Sequence, residues 1–213
     1  GMERAKAAGA TRFNIFFSPV ESFNQANHEK PRWQIVQEYT DALRGIPSEN
    51  VRVYLSMAFD CRDDVLESAV VAALELGDTV VLCDTEGMAT PLEVESAVNV
   101  ALGHTYQTAL HLHHGPHLFD NLKVAYDMGV REFDSSIGGL GGCPFVPGSG
   151  ANLATEDLIA WCGENDIECG VELDDLQPAL RYVAAHIKKP SRSVALRWHI
   201  ARAKAVLMGV VQR

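Results

Sequence analysis

The chain is short of positive charge and of cysteine. Eighteen Lys and Arg stand against 28 Asp and Glu, giving a formal net charge of −10 over 213 residues. No Lys/Arg face is dense enough to track a phosphate backbone, so neither nucleic acid nor an anionic membrane is expected as a partner. Long apolar runs are missing too. The best candidate, 69–76, is interrupted by Glu75, well short of the roughly 18 residues that would suggest a spanning segment. Five cysteines (Cys61, Cys83, Cys143, Cys162 and Cys169) are too scattered for a disulfide framework, and none forms a C-x-x-C pair. A reducing, cytoplasmic setting is therefore the expectation. The first ten residues lack the apolar core of a cleavable signal and read as the tail of a helix ending at Gly9.

What is present is an alternation of short Val/Ile/Phe-rich runs with longer segments of helical period. Strands are predicted at 12–17, 51–59, 79–83, 108–113 and 132–136. Helices are predicted at 31–43, 63–76, 91–102, 117–128, 154–164, 173–186 and 193–206. About five strand–helix units in one domain, 1–213, require a parallel sheet with helical crossovers, which places the chain in the α/β class. A complete (β/α)₈ barrel takes roughly 250 residues, so the count fits only part of one. The competing architecture is an open doubly wound sheet, whose Gly-rich phosphate turn after the first strand is absent here.

Polar groups gather at strand ends, where α/β folds place their chemistry. Three ends stand out: Cys83-Asp84-Thr85-Glu86-Gly87, His111-Leu112-His113-His114, and Asp134-Ser135-Ser136. His111 and His113, two residues apart on a strand, share a face and can reach one metal ion, although a His-rich surface loop has the same spacing. Asp84 could serve chemistry or simply cap the next helix. A glycine-dense loop then delivers Cys143, and Asn152 precedes a helix, where capping is its simplest use.

The segments Gly138-Gly-Leu-Gly-Gly-Cys-Pro144 and Gly150-Ala-Asn-Leu-Ala-Thr-Glu-Asp157, together with Asp134-Ser-Ser136 and His111-x-His113, resemble the hydroxymethylglutaryl-CoA lyase family in order along the chain. The resemblance implies a TIM (β/α)₈ barrel of which roughly the last five strand–helix units are present. It also implies a divalent metal, Mg²⁺ or Mn²⁺, and cleavage of 3-hydroxy-3-methylglutaryl-CoA to acetyl-CoA and acetoacetate. On the matching positions His111, His113 and Asn152 are metal ligands, Cys143 is the catalytic cysteine of the loop, and Asp84-Thr85 is an active-site pair. Zn²⁺ is disfavoured, because an amide and water oxygens beside two imidazoles suit a harder octahedral ion.

Two departures from the family pattern bear on function. Family members follow His-x-His with Asp-Thr-x-Gly, whereas this chain has His114-Gly115-Pro116-His117. The family's first-strand Arg-Asp-Gly is absent, and Arg62-Asp63-Asp64 follows a later strand. The expectation is the C-terminal two thirds of the family fold. It is read first as a fragment whose upstream third lies outside this chain, and otherwise as a naturally short relative that completes its barrel with another chain; a homo-oligomer is expected. The alternatives are an aldolase or Claisen-type synthase acting on another hydroxy acid, and a non-catalytic partner subunit.

Overall fold

A computed structural model describes residues 1–142, 150–187 and Ser193. The predicted helix at 193–206 lies outside them except for Ser193, and so does Cys143. The described residues divide into two compact units, Gly1–Asp134, and Ser135–Gly142 with 150–187 and Ser193.

The first unit opens with helix α1 (Met2–Ala7), which stops ahead of Gly9, whose φ of +84° lies in the left-handed region that glycine enters without strain. Strand β1 (Phe13–Phe17) is followed by two helices, α2 (Glu21–His28) and α3 (Arg32–Ala42). Then come β2 (Val51–Ser56), α4 (Asp63–Leu74), β3 (Thr79–Asp84), α5 (Pro91–Leu102), β4 (Thr108–Leu112), α6 (Leu118–Asp127) and β5 (Glu132–Asp134). The strands are all parallel and lie in their chain order, β1-β2-β3-β4-β5. A doubly wound sheet would reverse direction part-way, and this one does not. The arrangement is the consecutive arc of a (β/α) barrel.

Alternation along the strands explains the layering. Phe13, Ile15 and Phe17, then Val51, Val53 and Leu55, and Val80, Leu82, Leu110 and Leu112 are all buried on the helix-facing side. The strands pack against α3, α4 and α5, where Ile35, Leu66, Val70, Val94 and Val98 are buried. The opposite face is polar at its edges, with Arg52 and Tyr54 alternating with the buried valines of β2.

Helix α2 was not foreseen, because its sequence Glu-Ser-Phe-Asn-Gln-Ala-Asn-His carries almost no apolar stripe. It is tied down by a side chain instead. The buried Asn24 amide donates to the Ser18 carbonyl and accepts from the Ser18 N–H, both at 2.8 Å. Helix α5 begins as its sequence dictates, with Thr90 and Glu93 forming a capping box and Pro91 in the first turn.

In the second unit a parallel bridge joins Ser136 to Ala154, and helix α7 (Thr155–Glu164) follows. The predicted helix at 173–186 is divided into a 3₁₀ turn (Leu173–Leu176) and helix α8 (Gln177–His186). Pro178 lacks an N–H and fits only the first turn of a helix, which sets the start of α8. Among the described residues no helix is long and apolar enough to cross a membrane.

Candidate active site

The carboxyl ends of β2, β3, β4 and β5 bring the polar groups of the first unit together. Parallel register puts Ser56, Cys83, His111 and Asp134 in one row across the sheet, with Tyr54, Val81 and Ala109 in the adjacent row. Cys83, Val81 and Ala109 form a small apolar floor, and Tyr54 packs against it. Burial drives the Cys83 thiol to a high pKa, so it stays protonated and belongs to this floor.

The two histidines of the His-x-His pair stand together, ring centroids 5.3 Å apart. Each has its Nδ1 engaged. The His113 Nδ1 lies 2.8 Å from the Thr85 carbonyl oxygen, and the His111 Nδ1 lies 3.3 Å from Oδ2 of Asp134. A carbonyl and an ionised carboxylate only accept, so both Nδ1 atoms carry the proton, which makes Nε2 the lone-pair nitrogen of both rings.

Asp134 is the hub of this network. Its Oδ2 also accepts from the Tyr54 hydroxyl at 2.7 Å, and its Oδ1 lies 3.2 Å from the Arg52 guanidinium. Burial alone would raise its carboxyl, but the bonds from His111 and Tyr54 and the Arg52 charge outweigh that and hold it below the usual carboxylate value. The Tyr54 hydroxyl is pushed well up, first by burial and then by its bond to Asp134. Arg52 also faces Glu132 at 3.5 Å.

Asp84 and Thr85 hold the loop between β3 and α5. Asp84 pairs in register with Leu112, on the helix-facing side and opposite to His111. Its Oδ1 accepts from the N–H groups of Gly87, Met88 and Ala89 at 2.9, 3.1 and 3.3 Å. The next helix is capped by Thr90; Asp84 instead ties the turn before it. Burial raises the Asp84 carboxyl against these backbone bonds. The buried Thr85 accepts from the Met57 N–H through Oγ1 at 2.8 Å while its carbonyl takes His113. Met57 has φ +60°, a conformation unusual for a side chain of its size, at the point where β2 ends.

Asp60 lies in the loop after β2. Partial desolvation, then repulsion from Glu86, Asp84 and Glu93, raises its carboxyl from 3.8 to about 6. Between those values the folded chain holds the proton better than the unfolded chain, so Asp60 makes stability fall as pH rises from about 4 to 6. Asp60 is exposed, and solvent screening keeps the slope shallow. Asp60→Asn is expected to flatten that slope in a thermal-melting series from about pH 4 to 7.

Asn152 belongs to the second unit. It does not cap α7, whose N-cap is Ala154. Its Nδ2 donates to the Leu140 carbonyl at 2.8 Å, which leaves Oδ1 as the atom it could offer a cation. Gly141, at φ +105°, approaches that amide so closely that a Cβ there would meet Nδ2 at 2.5 Å. The fully buried Glu156 receives the Gly138 N–H on both carboxylate oxygens at 3.0 Å, and so secures the start of the glycine segment. Among the described residues no three His, Cys, Asp or Glu side chains gather as a metal-holding group. A ligand set of two imidazoles and one amide does not need one.

Of the residues singled out in the sequence, then, His111, His113 and Thr85 are brought together. Asp84 supports them from the other face, and Asn152 is held in the second unit. Arg52 and Tyr54 were not anticipated. Their signal was available as polar residues two apart in Val51-Arg52-Val53-Tyr54-Leu55, a period-2 pattern on the histidine face.

The sequence pattern of the HMGL-like family matches residues 1–183. The hydroxymethylglutaryl-CoA lyase YngG of Bacillus subtilis is 32% identical over 209 residues, spanning 89% of this chain and 68% of the relative. The chain belongs to the HMGL-like family. Its relatives place it among carbon–carbon lyases. The (R)-citramalyl-CoA lyase of Chloroflexus aurantiacus is 29% identical over 202 residues, covering 89% of this chain and 64% of that protein. Among solved structures, an HMG-CoA lyase from Acinetobacter baumannii in complex with coenzyme A and 3-methylmalate superposes with a TM-score of 0.86 at 31% identity. That match covers 92% of this chain and 68% of the other. The HMGL-like chain thus spans about two thirds of the length of these relatives. Its five-stranded parallel arc is of the family's TIM-barrel type.

Proposed function

We propose that this chain carries metal ligands and catalytic groups of a divalent-metal-dependent carbon–carbon lyase that cleaves 3-hydroxy-3-methylglutaryl-CoA to acetyl-CoA and acetoacetate. The observation that carries the reading is the paired His111 and His113, ring centroids 5.3 Å apart, each with Nδ1 bound to a fixed acceptor. An imidazole whose other nitrogen donates to a carboxylate or a backbone carbonyl is the arrangement metal-binding histidines adopt, so the residues present suit a cation. His111 and His113 would hold it, and Asn152 joins them on the strength of its motif, offering an oxygen. Mg²⁺ or Mn²⁺ suits this donor set better than Zn²⁺.

When bound, such an ion lowers the pKa of a substrate hydroxyl as a Lewis acid. The chain's own groups supply the rest. Asp134 and Thr85 keep the imidazoles in one tautomer, and Asp84 holds the 85–90 turn so that the Thr85 carbonyl stays in place. Deprotonation of the substrate's tertiary hydroxyl lets its oxygen form the ketone of acetoacetate as the adjacent C–C bond breaks. The acetyl-CoA half departs as a thioester enolate that must take up a proton, for which Cys143 is the proposed donor. Association with a second copy is proposed as well.

A mass-spectrometric assay of acyl-CoA turnover with Mg²⁺ or Mn²⁺ tests the reading. In the chain completed with an Arg-Asp-Gly strand, conversion of 3-hydroxy-3-methylglutaryl-CoA to acetyl-CoA and acetoacetate is the expected result, and the chain alone is expected to be inactive. Preferential turnover of citramalyl-CoA would favour the second reading, a lyase for a different hydroxyacyl-CoA. His114-Gly115-Pro116-His117, where the family pattern differs, and the citramalyl-CoA lyase relative both favour that reading. Turnover of neither thioester would contradict both. Cys143→Ser is expected to cut turnover by roughly 10²–10⁴ while Mn²⁺ binding is unchanged. Cys143 should also alkylate faster than Cys169, the exposed thiol among the described residues; slower labelling would remove its assignment as proton donor.

A further inference from the structure

We propose that Asp134 is a positioning residue that fixes the tautomer and ring orientation of His111, with Tyr54 and Arg52 holding its two carboxylate oxygens in place. The inference deepens the metal reading above and rests on it for its functional meaning. Its geometry is independent of that reading.

The four residues come from three strands of the sheet. His111 and Asp134 are register partners on β4 and β5, so their side chains leave the same face side by side. Arg52 and Tyr54 come from β2, across β3 and β4, and reach Asp134 over the floor of Val81, Cys83 and Ala109. Long donors on β2 can span this distance because the two intervening strands present a low floor there. The Tyr54 ring meets His111 edge-on with centroids 6.1 Å apart, and the Arg52 guanidinium lies 5.7 Å from the Tyr54 centroid. The ring of His111 is thus bounded by Tyr54 on one side and His113 on the other, while its Nδ1 is directed at Asp134.

The division of labour on the carboxylate explains why an acid is required. Oδ1 takes Arg52, and Oδ2 takes both Tyr54 and His111. Arginine can only donate, so Oδ1 must stay an acceptor. In the Asp134→Asn variant the side-chain carbonyl would therefore remain with Arg52 and the NH₂ would turn toward Tyr54 and His111. His111 would then have to accept at Nδ1, which moves its proton to Nε2 and blocks the nitrogen offered to a cation. His113 would be unaffected, because its proton is set by the Thr85 carbonyl.

The test uses the metal-free protein with ¹⁵N-labelled histidine, His111→Ala supplying the assignment, and Mn²⁺ as the probe of cation binding. In the wild type His111 is expected as the Nδ1–H tautomer. In Asp134→Asn its proton should shift to Nε2 while the His113 signal stays in place, and Mn²⁺ affinity should fall by roughly 10–100-fold. Tyr54→Phe should keep the Nδ1–H tautomer, because Oδ2 still faces His111. An Nε2–H tautomer in the wild type, or an unchanged tautomer in Asp134→Asn, would overturn the assignment of Asp134. The wild-type spectrum alone decides if that variant does not fold. Should the tautomer switch as expected while His111→Ala binds Mn²⁺ as well as the wild type, the Asp134 assignment is upheld and the metal reading fails.

Discussion

Replacing His113 by alanine is expected to lower Mn²⁺ affinity by more than the roughly 10–100-fold typical when only a hydrogen-bond partner of a ligand is lost. His113 is 4% exposed, and its two ring nitrogens are separately committed. Nδ1 is fixed on the Thr85 carbonyl at 2.8 Å, which defines where Nε2 must be. The variant removes the ligand atom and also strips a buried carbonyl of its ring donor, at a cost of about 1–3 kcal/mol in stability. Calorimetric titration with Mn²⁺ and a thermal melt separate the two effects. Binding equal to the wild type in a folded His113→Ala protein would remove the histidine from the ligand set.

Gly115→Ala is expected to be as damaging by a different route. A Cβ at Gly115 would lie 1.6 Å from the Gly87 carbonyl oxygen and 2.7 Å from its carbon, and both are backbone atoms that cannot rotate away. The β3–α5 and β4–α6 loops therefore cross in near backbone contact. Gly87 itself, at φ +74°, meets the His114 carbonyl within 3.0 Å of where its Cβ would be. This crossing sets the spacing between Thr85 and His113. The forced separation should destabilise the fold by about 3 kcal/mol, or roughly 6–12 °C in melting temperature for a chain of this size. Gly163, in α7 with open space around it, is the control. Gly163→Ala should be neutral or stabilise by up to about 1 kcal/mol.

Much of the fold was legible because its strands are strongly apolar and its helices well punctuated. Pro91 and Thr90 set the start of α5, and Gly9 marks the end of α1. Strand ends were placed two or three residues too far, at 59 against Ser56 and at 136 against Asp134. Chain alternation continues past the last ladder bond, whereas pairing stops where Met57 turns to positive φ and where Ser135 leaves the sheet. The His-x-His pair could be read from its spacing, but its orienting partners could not. Arg52 and Tyr54 lie about 80 residues from Asp134 in sequence and meet it only because the strands stack in register. The same limit applies to Asp84. Its residue type suggested a cap or a catalytic acid, and only the three converging N–H groups identify it as the tie of the 85–90 turn.

The central claim, that His111 and His113 present their Nε2 atoms to one divalent cation, is tested most directly by pulsed electron paramagnetic resonance of the protein with Mn²⁺. The account predicts one Mn²⁺ per chain with ¹⁴N couplings from two imidazoles, one of them lost in His111→Ala and the other in His113→Ala. A bound Mn²⁺ without histidine ¹⁴N coupling, or with coupling that survives in the double variant, would contradict it.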